Sequence, residues 1–415
     1  MVLSALTRRL GRLGLAAKLA VRSFTRIDTN PVPREWTHIT KVDPEDEKQL
    51  PLLYPLYLQH TSAISVGGSR DVNSTNTEET FELLAVVDVP VFHEPSAARH
   101  VTERTRKHSE FLAIPEVLNG DSSAIVGTLG EGTAYLRSEM VPALLADRVG
   151  WLPAGWLTKL ADFVTSWLLE SAVFEAYIIQ NVDSAAAREA NVTEADLLTP
   201  AAAAHRALAA EKHLESQVIY LEYSGTYGGD EATAILSALR DEISWSRIWY
   251  GGGIASREDA TAVLEAGADT VIVGNAFHEI AVEEVELVEQ AQESLSTAAS
   301  PTAIRDWLTA AIEPTDTEVF GYLSTIPDLA EPEEATERYL VKSIQLHFAL
   351  ARASTAGGEE IGDRLVSEWT DIDPRTLPDA YWDLIAAAVA TGDGRREPET
   401  RSLLSHLSGL EPHLQ

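Results

Sequence analysis

Lys41-Val42-Asp43-Pro44 closes a short β-branched run, and Lys41 and Asp43 lie two residues apart. On a strand that spacing puts both side chains on one side. At a catalytic rim the lysine would neutralise a phosphate while the aspartate holds Mg²⁺. That ion takes few protein carboxylates and leaves its other positions to water and phosphate oxygens. The bland alternative is a surface ion pair of little energetic value. Ser69, ending Gly67-Gly68-Ser69, is a second candidate metal oxygen, with a helix-capping role as its other reading. In Tyr220-Leu221-Glu222-Tyr223-Ser224-Gly225, the two-residue period puts Tyr220, Glu222 and Ser224 on one side. A carboxylate inside a barrel mouth is costly unless it binds something. Glu222 is therefore the candidate to accept hydrogen bonds from a polyol and take a proton from an attacking hydroxyl. Tyr220 would contact phosphate or hydroxyl.

Two glycine turns, Gly251-Gly252-Gly253 and Gly274-Asn275, follow the last two runs of this kind. Glycine lets backbone N–H groups approach a phosphate, assisted by the N-terminus of the next helix. Barrel turns use glycine in any case, so the pair speaks for a phosphorylated ligand and says little about the reaction. His93-Glu94-Pro95-Ser96 could also face the pocket, although a lone His and Glu at a strand end are more often structural; a zinc-binding H-E-x-x-H is absent because residue 97 is alanine. No G-x-S-x-G elbow marks a serine hydrolase.

The elements that must carry these residues are short runs at 38–43, 63–69, 90–96, 110–119, 175–181, 217–225, 247–254 and 269–275. Spacers rich in Ala, Leu and Glu separate them. Eight strands alternating with helices predict a (β/α)₈ barrel of the α/β class, spanning 31–295. A doubly wound sheet would carry its glycine turn after the first strand rather than after the last ones. The G-T-L-G-E-G run at 127–132 has dinucleotide spacing but no acidic partner, and is read as a loop. Residues 150–171 predict a helix apolar almost all round, either core or a wall for a prenyl chain. Residues 296–415 read as a C-terminal α-helical accessory domain, with helices at 337–354 and 380–392.

Composition narrows the setting. The net charge is −32, and lysine occurs only at Lys18, Lys41, Lys48, Lys107, Lys159, Lys212 and Lys342. An acidic, lysine-poor surface suits a salt-rich cytoplasm and argues against a nucleic-acid partner. With no cysteine, thiolate chemistry is excluded. No stretch reaches the ~20 apolar residues of a membrane span. Residues 1–28 carry Arg8, Arg9, Arg12, Lys18, Arg22 and Arg26 against Asp28 alone. That leader reads either as an amphipathic helix making peripheral contact with anionic lipid or as an unstructured extension.

Taken in order, the strand ends resemble the geranylgeranylglyceryl phosphate synthase family, which includes the bacterial heptaprenylglyceryl phosphate synthases. The matching pieces are W-T-H-I-T-K-V-D-P (36–44), V-G-G-S (66–69), E-P-S (94–96), P-E-V-L-N (115–119), Y-L-E-Y-S-G-T-Y-G (220–228), Y-G-G-G-I (250–254) and V-G-N (273–275). They cover about residues 34–290, and E-P-S with S-G-T-Y-G is closer to the archaeal branch. The resemblance implies that Lys41, Tyr220, Leu221, Glu222, Tyr223, Ser224, Gly225, Gly252, Gly253, Gly274 and Asn275 bind glycerol 1-phosphate. It implies that Asp43 and Ser69 bind Mg²⁺, that Glu222 deprotonates the glycerol 3-hydroxyl, and that the chain is a homodimer. One departure is the segment after P-E-V-L-N, often basic or histidine-bearing in the family and here G-D-S-S-A-I-V-G-T-L-G-E-G.

The expectation is a Mg²⁺-dependent cytoplasmic prenyltransferase that joins geranylgeranyl diphosphate to sn-glycerol 1-phosphate. Two rivals stay open. A phosphate-binding barrel isomerase or lyase would need neither the Asp43 metal nor an apolar tunnel. A non-enzymatic scaffold would bind anionic membrane through residues 1–28.

Overall fold

The computed structural model describes residues 16–22, 24, 27–45, 48–68, 70–121, 128–149, 151–356 and, beyond these, 377, 380–382, 385 and 407. Ser69 and most of the leader lie outside them, as does most of 357–415. Eight parallel strands form at the eight predicted runs: β1 His38–Val42, β2 Ala63–Val66, β3 Val91–His93, β4 Ala113–Val117, β5 Val173–Ile179, β6 Val218–Glu222, β7 Arg247–Gly251 and β8 Thr270–Val273. Their order is β3-β2-β1-β8-β7-β6-β5-β4. The seam between β3 and β4 is irregular and rests on a single bridge, His93 to Leu112. The amide of His93 donates to Phe111 O at 3.1 Å, and that of Glu110 to Val91 O at 2.8 Å. These contacts close the sheet into a (β/α)₈ barrel.

The two-residue period sorts each strand. Ile39, Phe92, Val173, Tyr177, Tyr220, Trp249 and Ile272 point inward and form one cluster, while Ile178, Leu221, Tyr250 and Val271 point outward under the helices. Large rings fill the lower barrel: Trp36 stacks on Phe92 at 6.1 Å between centroids, and Phe92 meets Trp249 at 5.8 Å. That plug leaves only the upper, C-terminal end open.

One expected loop is a helix. Residues Thr128–Tyr135 are α-helical despite Gly130 and Gly132. Leu129, Thr133 and Leu136 fall at i, i+4 and i+7 and face one cavity, so packing along one side overrides the weak propensity of glycine. The apolar segment forms the Ala154–Glu170 helix, as its spacing predicts.

The helix after β1 is only Tyr54–Leu58, too short to cover that strand. Two helices from beyond the barrel, Glu318–Ser324 and Pro332–Ala356, complete the wall. Tyr322 meets the outward Thr40 hydroxyl at 2.9 Å, and Thr325 Oγ1 lies 3.1 Å from His38 Nε2. Tyr339 packs edge-on to Tyr57 at 5.5 Å. Glu284, buried, accepts the Leu52 amide at 2.8 Å and faces His347 Nε2 at 3.1 Å. The described part of 296–415 thus shares a hydrophobic core with the barrel's outer layer. Residues 16–22 are helical and dock on the opposite, lower rim. There Lys18 pairs with Glu215, and Arg22 with Glu211 at 3.6 Å, stacking over Trp245 at 3.8 Å. Burial would raise the Glu211 carboxyl, yet hydrogen bonds from Lys212 and the amides of Ser246, Trp245 and Ser244 hold it down at about 2. Two of the leader's basic residues therefore face the barrel's own carboxylates. No helix among the described residues is long and apolar enough to cross a membrane.

Candidate active site

A cavity of about 830 Å³ opens over the C-terminal ends of the strands. Of the residues singled out in the sequence, Lys41, Asp43, Tyr220, Glu222, Ser224, Gly225, Gly252, Gly253, Gly274 and Asn275 line it. Leu221 and Tyr223 do not. Leu221 is fully buried in the outer core, and the Tyr223 hydroxyl donates to Glu231 at 3.2 Å. Odd and even residues of one strand cannot face the same chamber, so the expectation for these two side chains is corrected.

Glu222 is buried. Burial raises its carboxyl above the usual range, and the Ser224 hydrogen bond and the Lys41 charge pull it partly back. Lys41 is held above the usual lysine range: burial alone would lower it, but Glu94, Asp43 and Glu222 outweigh that. The Lys41 ammonium binds Glu94 at 3.2 Å to Oε1 and 3.1 Å to Oε2.

The Gly251-Gly252-Gly253 turn is forced by close approach. A Cβ on Gly251 would lie 2.1 Å from the Tyr220 hydroxyl, and one on Gly252 2.4 Å from Tyr223 Cβ. Gly253 has φ +53°, and its Cβ would lie 2.4 Å from Tyr227 N. Asn275 also adopts a left-handed conformation, φ 63°, at the start of the Ala276–Ser294 helix. Backbone from two neighbouring turns therefore meets at one side of the chamber, where a helix N-terminus favours an anion.

Asp43 faces the ammonium of Lys48, which also lies 3.5 Å from Glu45 Oε2 and 2.8 Å from Asn275 Oδ1. A protein cation thus already sits among oxygens from Asp43, Glu45 and Asn275. Such an all-oxygen set fits a hard cation such as Mg²⁺. Among the described residues no three His, Asp or Glu side chains converge on one point. A metal here would complete its shell with phosphate and water, since the described side chains offer it two carboxylates and one amide oxygen. Ser69 lies outside the described residues. The capping role that was its alternative belongs to Asn73, whose side chain accepts the amides of Thr75 and Asn76.

Away from the polar end, the cavity continues as an apolar arm walled by Ile114, Pro115, Val117, Leu129, Leu136 and Leu169. Leu169 comes from the helix expected to wall a prenyl chain. The outer face of that helix exposes Trp156, Phe163 and Trp167 by 66%, 66% and 57%. Glu94 and Arg70 are among the cavity residues to which the sequence reading gave no role. Glu94, allowed to face the pocket, was read with His93 as more often structural. In fact His93 points outward against Phe81, its imidazole kept neutral by burial with a pKa near about 3, while Glu94 points in. The clue was the alternation Phe92-in, His93-out, Glu94-in. Arg70 lines the rim directly after Gly-Gly-Ser, where a cation at the end of β2 could have been noticed.

Comparison with known proteins places the barrel in a family. The PcrB family model matches residues 32–292. The chain is 28% identical over 249 residues to geranylgeranylglyceryl phosphate synthase of Methanocella arvoryzae, covering 59% of this chain and 91% of that protein. It is 30% identical to the protein of the same name from Haloquadratum walsbyi, covering 60% and 91%. It is 33% identical to heptaprenylglyceryl phosphate synthase of Listeria innocua, covering 58% and 92%. Among solved structures, (S)-3-O-geranylgeranylglyceryl phosphate synthase of Thermoplasma acidophilum, in complex with sn-glycerol-1-phosphate, aligns with TM-score 0.42 and 20% identity over 58% of this chain and 85% of that one. The eight-stranded barrel, from just before β1 to the end of the helix that follows β8, belongs to the PcrB family, whose named relatives are prenylglyceryl phosphate synthases.

Proposed function

We propose that the chain transfers a geranylgeranyl group from its diphosphate to the 3-hydroxyl of sn-glycerol 1-phosphate. The observation that carries this reading is one cavity with two chemically distinct ends: a glycine-rich end holding Lys41 and Glu222, and an arm lined by Ile, Leu, Val and Pro. A phosphate-binding isomerase or lyase has no use for the second end.

The phosphate of the acceptor sits at the Gly252-Gly253 and Gly274-Asn275 turns, its charge met by backbone N–H groups and Lys41. The prenyl tail lies in the apolar arm, which excludes water from the allylic carbon. The allylic C–O bond breaks with its electron pair on the diphosphate, and the glycerol 3-oxygen forms the new C–O bond. Glu222 accepts the proton that this oxygen loses; with both carboxylate oxygens held near the Ser224 amide, it is oriented before the substrate arrives. Asp43, with Glu45 beside it, is the side chain that would hold Mg²⁺, and that ion when bound supplies positive charge to the leaving diphosphate.

The test is product formation from geranylgeranyl diphosphate and each enantiomer of glycerol phosphate, in high salt, with Mg²⁺ or with EDTA. Metal-dependent ether product from the 1-phosphate alone is the expected result. A folded protein that makes no product from any prenyl donor would overturn the reading.

A further inference from the structure

We infer that Glu94 is a positioning residue for the glycerol phosphate: it anchors Lys41 in the phosphate-facing position and keeps that lysine off Glu222 and Asp43. The inference rests on the reaction proposed above, and it gives a role to a carboxylate that lies beside an anion site, where its charge alone would repel the ligand.

Both oxygens of Glu94 are engaged by the protein. Oε1 accepts the Tyr177 hydroxyl at 2.6 Å and the Lys41 ammonium at 3.2 Å. Oε2 accepts the Ser65 hydroxyl at 3.1 Å and lies 3.1 Å from the same ammonium. With three hydrogen bonds and an ion pair on its two oxygens, this carboxylate is engaged by the protein rather than by a metal or a substrate proton, so its effect passes through its partners. Two strands fix it. β2 supplies the Ser65 hydroxyl and the Val66 carbonyl, which accepts the Glu94 amide at 2.9 Å, and β5 supplies Tyr177. Gly67 makes room for it: a Cβ there would lie 2.6 Å from Glu94 O and 3.0 Å from Glu94 Cβ. That gives the first glycine of Gly-Gly-Ser a purpose distinct from phosphate contact.

Lys41 is the residue that benefits. It is a flexible point charge, and Glu222 and Asp43 both attract it. Asp43 lies two residues along the same strand face, and Glu222 lines the same chamber. Unanchored, Lys41 would settle on one of those carboxylates, occupying the proposed base or the proposed metal ligand. The seat on Glu94, a hydrogen bond to Oε1 with Oε2 in ion-pair range, prevents this and leaves ammonium hydrogens for a phosphate oxygen.

The sign of one measurement separates this from a simple field effect. Glu94→Gln removes a negative charge beside an anion site, so field alone predicts tighter binding of glycerol 1-phosphate. Anchoring predicts weaker binding, by about tenfold for the loss of a hydrogen bond to a charged group. Calorimetric titration of the full chain with sn-glycerol 1-phosphate, and with inorganic phosphate, reads this without turnover. It therefore stays informative even if the wild type makes no ether product, a result that would sink the proposed reaction alone. In steady state, Glu94→Gln should raise KM for glycerol phosphate and leave KM for the prenyl donor unchanged. In a Lys41→Ala background the same substitution should have no further effect on phosphate binding. Tyr177→Phe, which removes one donor to Oε1 with little change of shape, should weaken binding in the same direction by a smaller factor. Unchanged or tighter binding in folded Glu94→Gln, or a full additive loss in the Lys41→Ala background, would overturn the inference. If Glu94→Gln does not fold, wild-type affinity in Tyr177→Phe would do so.

Discussion

The carboxylate of Glu222 accepts the backbone amide of Ser224, two residues further along the same strand end, at 3.2 Å to Oε1 and 3.3 Å to Oε2. The contact fixes the direction of the carboxylate while burial raises its proton affinity. Glu222→Gln keeps the shape and removes the base. Turnover should fall by about 10²- to 10⁴-fold, with glycerol phosphate affinity kept within a few-fold. A base works when deprotonated, so wild-type kcat/KM should rise with pH along an acid limb above the ordinary glutamate value of about 4.3. A limb at or below that value, or near-normal turnover in the variant, would remove Glu222 from the role.

Gly253 and Gly274 should respond differently to alanine. Gly253 sits at φ +53° against Tyr227 N, whereas the nearest contact of a Cβ on Gly274 is Lys41 Cβ at 3.8 Å. Gly253→Ala should cost about 1–3 kcal/mol of stability through backbone strain and raise KM for glycerol phosphate. Gly274→Ala should stay within about 0.5 kcal/mol of wild type. Thermal unfolding of both variants decides; equal losses would show that the strain has been misplaced.

Leu169 belongs to the far arm of the cavity, beyond the polar groups. Leu169→Trp should shorten the space for the tail and leave the glycerol phosphate end untouched. We expect farnesyl diphosphate to gain on geranylgeranyl diphosphate in relative kcat/KM by about tenfold, the scale of a few methylenes in an apolar pocket. An unchanged ratio would place the prenyl chain elsewhere.

Glu175 is buried inside the barrel with neither carboxylate oxygen hydrogen-bonded. Burial, reinforced by Glu94 and opposed by Lys41, raises its carboxyl well above the usual value. The folded chain therefore holds this proton more tightly than the unfolded one. Wild-type stability should fall as pH climbs from about 4.3 toward the folded value, by up to about 1.4 kcal/mol per pH unit. Glu175→Met should lack that slope, so its advantage in melting temperature should widen with pH across the window. A constant or negative difference would mean that Glu175 has an ionised partner.

Much of the architecture was legible because it rests on local periods. The alternation within His38–Val42 and Val218–Glu222 placed Lys41, Asp43, Tyr220 and Glu222 on inward faces, and all four line the chamber. Where the resemblance took a strand end as a block, the side chains part: Leu221 and Tyr223 face the helices. Thr128–Tyr135 was misread because its two glycines outweigh its Leu129-Thr133-Leu136 spacing in any local scale.

The sequence by itself determined the eight strands, the side of each that faces inward, and the glycines at the ends of β7 and β8. All of these follow from φ/ψ sterics and a period of two, which act within a few residues. Only the tertiary structure decided which charges meet. Lys41, Ser65, Glu94 and Tyr177 come from four strands, and their convergence depends on barrel closure through the irregular β3–β4 seam. It likewise decided that Lys48 sits among Asp43, Glu45 and Asn275, and that helices from beyond residue 300 roof β1. Several of these pairings join distant positions, 53 residues apart for Lys41 and Glu94, 227 for Lys48 and Asn275 and 282 for Thr40 and Tyr322. No local preference encodes them, because they exist only once the hydrophobic layers have packed and brought distant strand ends to one rim.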